Sequence, residues 1–118
     1  MKSEAVREPD VLGLPFARSP YPMWIYDVKT LAFLMVNKSA TQAYGFSEEE
    51  FLRMTVLDIR PSSDIERFLN AWRHPHESTG EKWWHVGRDG IAFPVSITSW
   101  KLTFDGHEAE LVLARRDL

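Results

Sequence analysis

At 118 residues, 44% of them apolar, the chain is long enough to close one hydrophobic core and too short for two ordinary domains. A formal charge of −3 leaves no broad basic surface, and Arg115-Arg116 is too short a cluster to hold a phosphate backbone, so nucleic acid is not an expected partner. The lack of cysteine excludes disulfides, thiolate metal sites and a thiol nucleophile, and no apolar run reaches the length of a membrane span, so no membrane contact is expected of this segment.

Met1 to Ser19 carries scattered apolar residues without periodicity and reads as a flexible or docking arm ahead of a domain over 20–118. Pro22 to Asp27 and Leu31 to Val36 are short, rich in aromatic and branched residues and joined by polar Val28-Lys29-Thr30, which predicts a strand, a turn and a strand. Asn37 then stands where a helix N-cap belongs. Gly45 closes the run Lys38 to Tyr44 at the position that tolerates a left-handed backbone, giving a helix of about two turns. Ser47-Glu48-Glu49-Glu50 forms a capping box ahead of Phe51 and Leu52 and starts a second helix. Ser63-Asp64-Ile65-Glu66 is a further capping box, and Ile65, Phe68, Leu69 and Trp72 follow at helical spacing, so one stripe of this third helix faces a core until it ends near Arg73, before Pro75. Glu77 to Glu81 reads as a polar loop. Three strands are then predicted, Lys82 to Arg88, Ile91 to Phe104 and Glu108 to Arg115, separated by the hairpin signals Asp89-Gly90 and Asp105-Gly106. The sum is an α+β domain: a five-stranded antiparallel sheet with helices from the middle of the sequence packed on one face.

The order of these elements and the residues in them resemble the PAS domains of bacterial sensor proteins. The resembling run reads P-M-W-I-Y-D, L-x-F-L-x-V-N-x-x-A and Y-G-F-S-x-E-E-F, then D-I-R-P at Asp58 to Pro61. Its end, F-D-G-H-E-A-E-L-V-L-A-R-R-D-L, is similar to the last hairpin of such a domain, so the resemblance covers roughly Pro22 to Leu118. In that family an Asp-hydrophobic-Thr or -Ser triad usually marks the exit into a coiled-coil linker. Asp117 and Leu118 match its first two positions. The resemblance implies a PAS-like fold and a cytoplasmic sensory and signal-transduction module, the input domain of a larger bacterial protein such as a sensor histidine kinase or diguanylate cyclase. The parent protein could be membrane-tethered, its C-terminal output domain lies elsewhere, and a homodimer is the expected assembly.

The scaffold itself does not name a ligand, because it holds haem, flavin, organic acids or nothing. A light-sensing flavin or another cysteine-linked chromophore is excluded here by the lack of cysteine. Haem is disfavoured, since the helix Asp64 to Arg73 contains no histidine, while His74 and His76 just beyond it suit a helix C-terminus without a metal. No metal site is expected. Alternation places Trp83 and His85 on one strand face, and in the resembling family these positions face the interior beneath the helices. With Phe68, Trp72, Ile97 and Ser99 they are the candidate ligand pocket, apolar with a few polar groups. The competing reading is a packed core in which His85 is a satisfied histidine and Trp83 fills volume.

No G-x-S-x-G elbow, H-E-x-x-H pair or phosphate-binding glycine loop occurs, and Glu48-Glu49-Glu50, Asp58, Asp89 and Asp105 fit caps and turns, so no catalysis is expected of this segment. Two classes of function remain: a sensor binding a small molecule in its core, and a ligand-free protein-interaction and dimerisation module. For the second, Trp84 and Val86 with Trp100 are the interface candidates. They fall on the face away from the helices, where either the arm, through Val11, Leu12, Leu14 and Phe16, or a second copy is expected to cover them.

Overall fold

The computed structural model describes residues 16–73 and 80–116. Its framework is one antiparallel sheet of five strands, β1 (Met23–Asp27), β2 (Phe33–Val36), β3 (Glu81–Val86), β4 (Ala92–Phe104) and β5 (His107–Arg116), in the order β2-β1-β5-β4-β3. The first strand pair and the three-stranded run predicted from the sequence meet at the centre, where β1 pairs with β5 and Trp24 lies opposite Val112. Asp105 and Gly106 take φ values of 52° and 84° between the paired residues Phe104 and His107, the left-handed two-residue turn that matches the twist of its strands. The first hairpin is closed by a side chain: Asp27 Oδ1 accepts from the backbone N–H groups of Lys29 and Thr30 at 2.7 and 3.1 Å.

Between the hairpins run α1 (Lys38–Tyr44), α2 (Glu48–Phe51), a 3₁₀ turn (Val56–Ile59) and α3 (Ser62–Arg73). Asn37 caps α1 by accepting from Ala40 N–H, and the same oxygen accepts from Met23 N–H, so one side chain ties the helix start to β1. The capping box at Ser47 forms as its sequence requires, but α2 is a single turn. The 3₁₀ turn has a box of its own, Thr55 with Asp58, which the sequence reading did not distinguish from a loop. The box expected at Ser63 does not cap α3, whose first helical residue is Ser62, directly after Pro61. Asp64 is turned inward, with Arg60 and Arg67 as its charged neighbours. Its burial moves the inner stripe of α3 as well: Asp64 and Phe68 are the buried positions, Leu69, Ala71 and Trp72 pack against the core, and Ile65 stands outside that cluster.

The main core lies under the helices and includes Trp24, Phe33, Tyr44, Phe51, Phe68, Trp83, Val95 and Val112. A smaller cluster covers the opposite face of the sheet, where buried Phe16 meets Met23, Ile25, Ala109 and Leu111, with half-buried Leu34, Met35, Trp100 and Leu113 around them. Phe16 belongs to the segment read as an arm, and Asn37 Nδ2 donates to its carbonyl at 2.9 Å. Val11, Leu12 and Leu14 lie outside the described residues, as do His74, His76, most of the expected loop, Asp117 and Leu118.

α1 is joined to β3 by close backbone approach. Gly45 carries φ 83° at the end of the helix, Arg88 N–H donates to the Tyr44 carbonyl at 2.9 Å, and Arg88 Nε donates to the Gly45 carbonyl at 2.7 Å. A Cβ at Gly87 would stand 2.5 Å from the Tyr44 carbonyl oxygen, so only glycine fits there without a shift. Among the described residues no helix is long and apolar enough to cross a membrane.

Candidate functional site

A cavity of about 810 Å³ lies between α3 and the helix-covered face of the sheet. Part of its wall is apolar and aromatic: Trp24 from β1, Val56 from the 3₁₀ turn, Phe68 and Trp72 from α3, Trp83 from β3, Ile97 from β4 and Val112 from β5; the rest is polar and charged, with Arg73, Glu81, Lys101, Glu108 and Glu110 around its open side. The alternation of β3 and β4 brings them there, since Trp83, Val95, Ile97 and Ser99 all point to this face and are buried. Trp72 is fixed at the end of α3 by its indole N–H, which donates to the Val28 carbonyl in the first hairpin.

One lining residue is charged and buried. Arg60 is the residue before Pro61, which confines its backbone to the extended region, with φ −120° and ψ 140°. That conformation turns the chain from the 3₁₀ turn into α3 and sends the side chain inward. Its guanidinium carbon is 3.9 Å from the centre of the Phe68 ring and 5.0 Å from that of Trp83, and the side chain is only 7% exposed. Asp64 is the neighbouring anion, but Nη1 and Oδ2 are 4.0 Å apart, too far for a hydrogen bond. Arg67 shares this carboxylate at 3.8 Å and covers Trp83 from its own ring contact at 3.8 Å. Nε and Nη1 of Arg60 and Oδ2 of Asp64 are buried without a hydrogen-bond partner among the described residues.

Burial lowers the Arg60 guanidinium to about 10, with the Asp64 carboxylate acting in the opposite direction, so it stays cationic at neutral pH. Burial, and then the charge of Arg60, hold His85 well below its ordinary value of 6.5, so this imidazole is neutral. Burial pushes the Tyr44 and Tyr26 phenols upward and both stay protonated. Tyr44 Oη is 2.6 Å from His85 Nδ1, and Tyr26 Oη donates to Glu110 at 3.2 Å.

Solved structures share this architecture over most of its length. The PAS domain of an HTR-like protein from Haloarcula marismortui superposes with a TM-score of 0.73 at 18% identity, covering 92% of this chain and 90% of its own. A domain of a sensory box sensor histidine kinase/response regulator from Geobacter sulfurreducens gives a TM-score of 0.73 at 21% identity over 90% and 91% of the two chains. The LOV domain of the blue-light activated histidine kinase EL346 from Erythrobacter litoralis gives 0.66 at 18% identity over 84% and 97%. The chain has the PAS fold. No protein-family model matches the sequence, and no curated protein matches it.

Within the PAS fold, Phe68, Trp72, Trp83, Ile97 and Ser99 all line this cavity. His85 does not. It shares a strand face with Trp83 but lies farther along β3, where α1 covers the sheet. There its ring is packed against Trp24 and Tyr44, with centroids 5.8 and 5.7 Å away. Its Nε2 has no partner in the protein. The residues the sequence reading missed are Arg60 and Asp64. Their signal is present in hindsight: Arg60, Asp64 and Arg67 form an alternating-charge run at i, i+4 and i+7 across Pro61, beside aromatic positions of α3.

The outer-face candidates are separated by register. Trp84 pairs with Pro94, and Trp100 is six residues farther along β4, opposite Leu111. At strand spacing that is about 20 Å, so the two rings share a face without forming one patch. Trp84 is 48% exposed, whereas Trp100 and Val86 are half-buried. Among the described residues no three His, Asp or Glu side chains converge where a metal could sit.

Proposed function

We propose that this PAS domain is a cytoplasmic sensory and signal-transduction module that binds a small molecule in the cavity between α3 and the sheet. It passes occupancy of that cavity to an output module of a larger signalling protein. The observation that carries this reading is the cavity itself: a half-open space of about 810 Å³ walled by aromatic, aliphatic and charged side chains, within the 300–1,000 Å³ range of small-molecule sites.

The route of the signal follows from the lining. Glu110 and Val112 belong to β5, the strand that leads towards the output side, and Tyr26 of β1 bonds Glu110 beside the cavity. A ligand that binds one arrangement of these side chains better than another shifts the population of β5 conformations by its differential affinity, and not by its total affinity. Catalysis in this scheme belongs to the output module.

The test is native mass spectrometry of the purified domain beside its Ala71→Trp variant, in which an indole from α3 fills the cavity. A small-molecule adduct on the native chain that is absent from the variant is the expected result. A bare polypeptide in both, with no ligand from a metabolite library raising the melting temperature of the native chain, refutes the cavity reading. The second reading, an interaction and dimerisation module, draws on the outer face, where Leu34, Met35, Trp100 and Leu113 are apolar and half-buried around Met23 and Ile25. Its occupant would be a second copy of the chain, joined about a two-fold axis.

A further inference from the structure

We infer that the cavity selects an organic acid, a carboxylate carried on an aromatic or branched apolar body, and that Arg60 is the residue that holds the carboxylate. The inference deepens the ligand-binding reading and rests on it.

Two nitrogens of the Arg60 guanidinium are buried and unpartnered among the described residues. A buried N–H donor without an acceptor costs about as much as a lost hydrogen bond, and more when the group is charged. Arg60 leaves Nε and Nη1 in that condition on a side chain that lines the cavity and is 7% exposed. The nearest carboxylate does not relieve it. Asp64 stands at 4.0 Å with its own Oδ2 unpartnered, and it divides its charge with Arg67 at 3.8 Å. Arg60, Arg67 and Asp64 together leave one positive charge at this corner of the cavity, and the wall's other charges are Arg73 and Lys101 with Glu81, Glu108 and Glu110. The group that completes the Arg60 fork accepts hydrogen bonds and carries negative charge.

Geometry narrows the class. A guanidinium presents parallel N–H bonds that match the two oxygens of a carboxylate. A phosphate monoester, with two charges and more acceptor positions, would call for further donors than a single fork supplies. Phe68 and Trp83 stack on the guanidinium and hold its orientation. Beside Arg60 the wall formed by Trp24, Val56, Trp72 and Ile97 is uncharged and suits an apolar body, while the charged residues Glu81, Lys101, Glu108 and Glu110 lie elsewhere on the lining. Ligand and site thus divide the work: the acid end fixes the pose at the head of α3, and the body fills space between α3 and β4.

The experiment is isothermal titration of the intact chain with matched pairs, phenylacetate and 3-phenylpropionate against phenylacetamide and 3-phenylpropionamide. Each pair keeps shape and replaces the carboxylate by a neutral amide, which loses the charge and one of the two acceptor oxygens. We expect each acid to bind at least about tenfold more tightly than its amide. Arg60→Gln removes this preference by weakening the acid and leaving the amide unchanged. Asp64→Asn removes the competing anion and strengthens the acid alone, an effect a purely structural Arg60 would not produce, and it decides the matter if Arg60→Gln fails to fold. Equal binding of acid and amide to the native chain, or an acid preference unaffected by both substitutions, overturns the role of Arg60 while leaving the cavity reading in place. If neither member of either pair binds while a library compound does, this inference falls and the cavity reading stands; if Ala71→Trp leaves binding unchanged, the cavity reading falls and this inference with it.

Discussion

The buried imidazole of His85 ties the stability of the domain to pH. The ring is fully buried, contacts Trp24 and Tyr44, and has one nitrogen bonded to Tyr44 and one with no partner. Burial and the charge of Arg60 hold its protonation well below the ordinary value of 6.5, which is the value it regains on unfolding. The sign follows from counting protons. Above pH 6.5 the ring is neutral in both states and its contacts contribute in full. As the pH falls below 6.5 the unfolded chain takes up a proton that the folded chain refuses, so stability is lost with decreasing pH until the folded value is reached. Through that window the loss from one proton is about 1.4 kcal/mol per pH unit. Urea unfolding at pH 7.5, 6.0 and 5.0, followed by far-UV circular dichroism, measures it directly. His85→Gln supplies the comparison, since an amide fills much of the same space and does not titrate. The native chain should lose stability between pH 6.0 and 5.0 by about 1 kcal/mol more than the variant. Equal pH slopes for the two proteins would falsify the assignment of a neutral, buried His85.

Two further outcomes test the packing and the outer face. Trp83 is buried between Phe68 and the Arg60 and Arg67 guanidiniums, so Trp83→Ala should cost roughly 3–5 kcal/mol in chemical denaturation, and an unchanged midpoint would show that the indole carries no packing. If the outer face joins two copies, Trp100→Glu should convert a dimer to a monomer in size-exclusion chromatography with light scattering. Trp84→Glu, about 20 Å along the sheet, should leave the dimer intact, and a native monomer at high concentration removes the interface.

What the sequence disclosed was whatever local chemistry decides. Asn37, Gly45, Ser47 and the Asp105-Gly106 turn each act on neighbours within four residues, so helix starts, one helix end and the hairpin register were legible from the residues alone. Strand alternation likewise disclosed which face Trp83, Ile97 and Ser99 occupy. Alternation fixes only a face, however, and not a place along it. The separation of Trp84 from Trp100 depends on the pairing of β3 with β4, and the displacement of His85 from the cavity depends on α1 lying over that end of β3. Arg60 escaped notice for a related reason. Arginine is ordinarily a surface residue, and its burial here results from a proline that follows it and two aromatic rings supplied by α3 and β3. The capping box at Ser63 misled because the same residue types that cap a helix also pair with cations, and Asp64 has two within reach.

The contact between Gly87 and the Tyr44 carbonyl divides the helical layer into a part that is pinned and a part that is free to vary. At the pinned end, a backbone bond, the Arg88 side chain on Gly45 and Glu50, and the lack of room for even a methyl group clamp α1 and α2 to β3. Any rotation of α1 would drive its last carbonyl into β3. At the other end, α3 touches the sheet through side chains, the Trp72 indole on Val28 and Arg67 on the Lys82 carbonyl. Side-chain contacts exchange by rotamer changes, whereas a backbone seam does not. The domain therefore has a natural door and a natural frame: if the cavity takes a ligand as proposed, its entry and exit fall to α3, and so does divergence in what the cavity accepts. Substitutions at Phe68, Ala71 and Trp72 can reshape the chamber while Tyr44, Gly45 and Gly87 hold the geometry of the sheet around it.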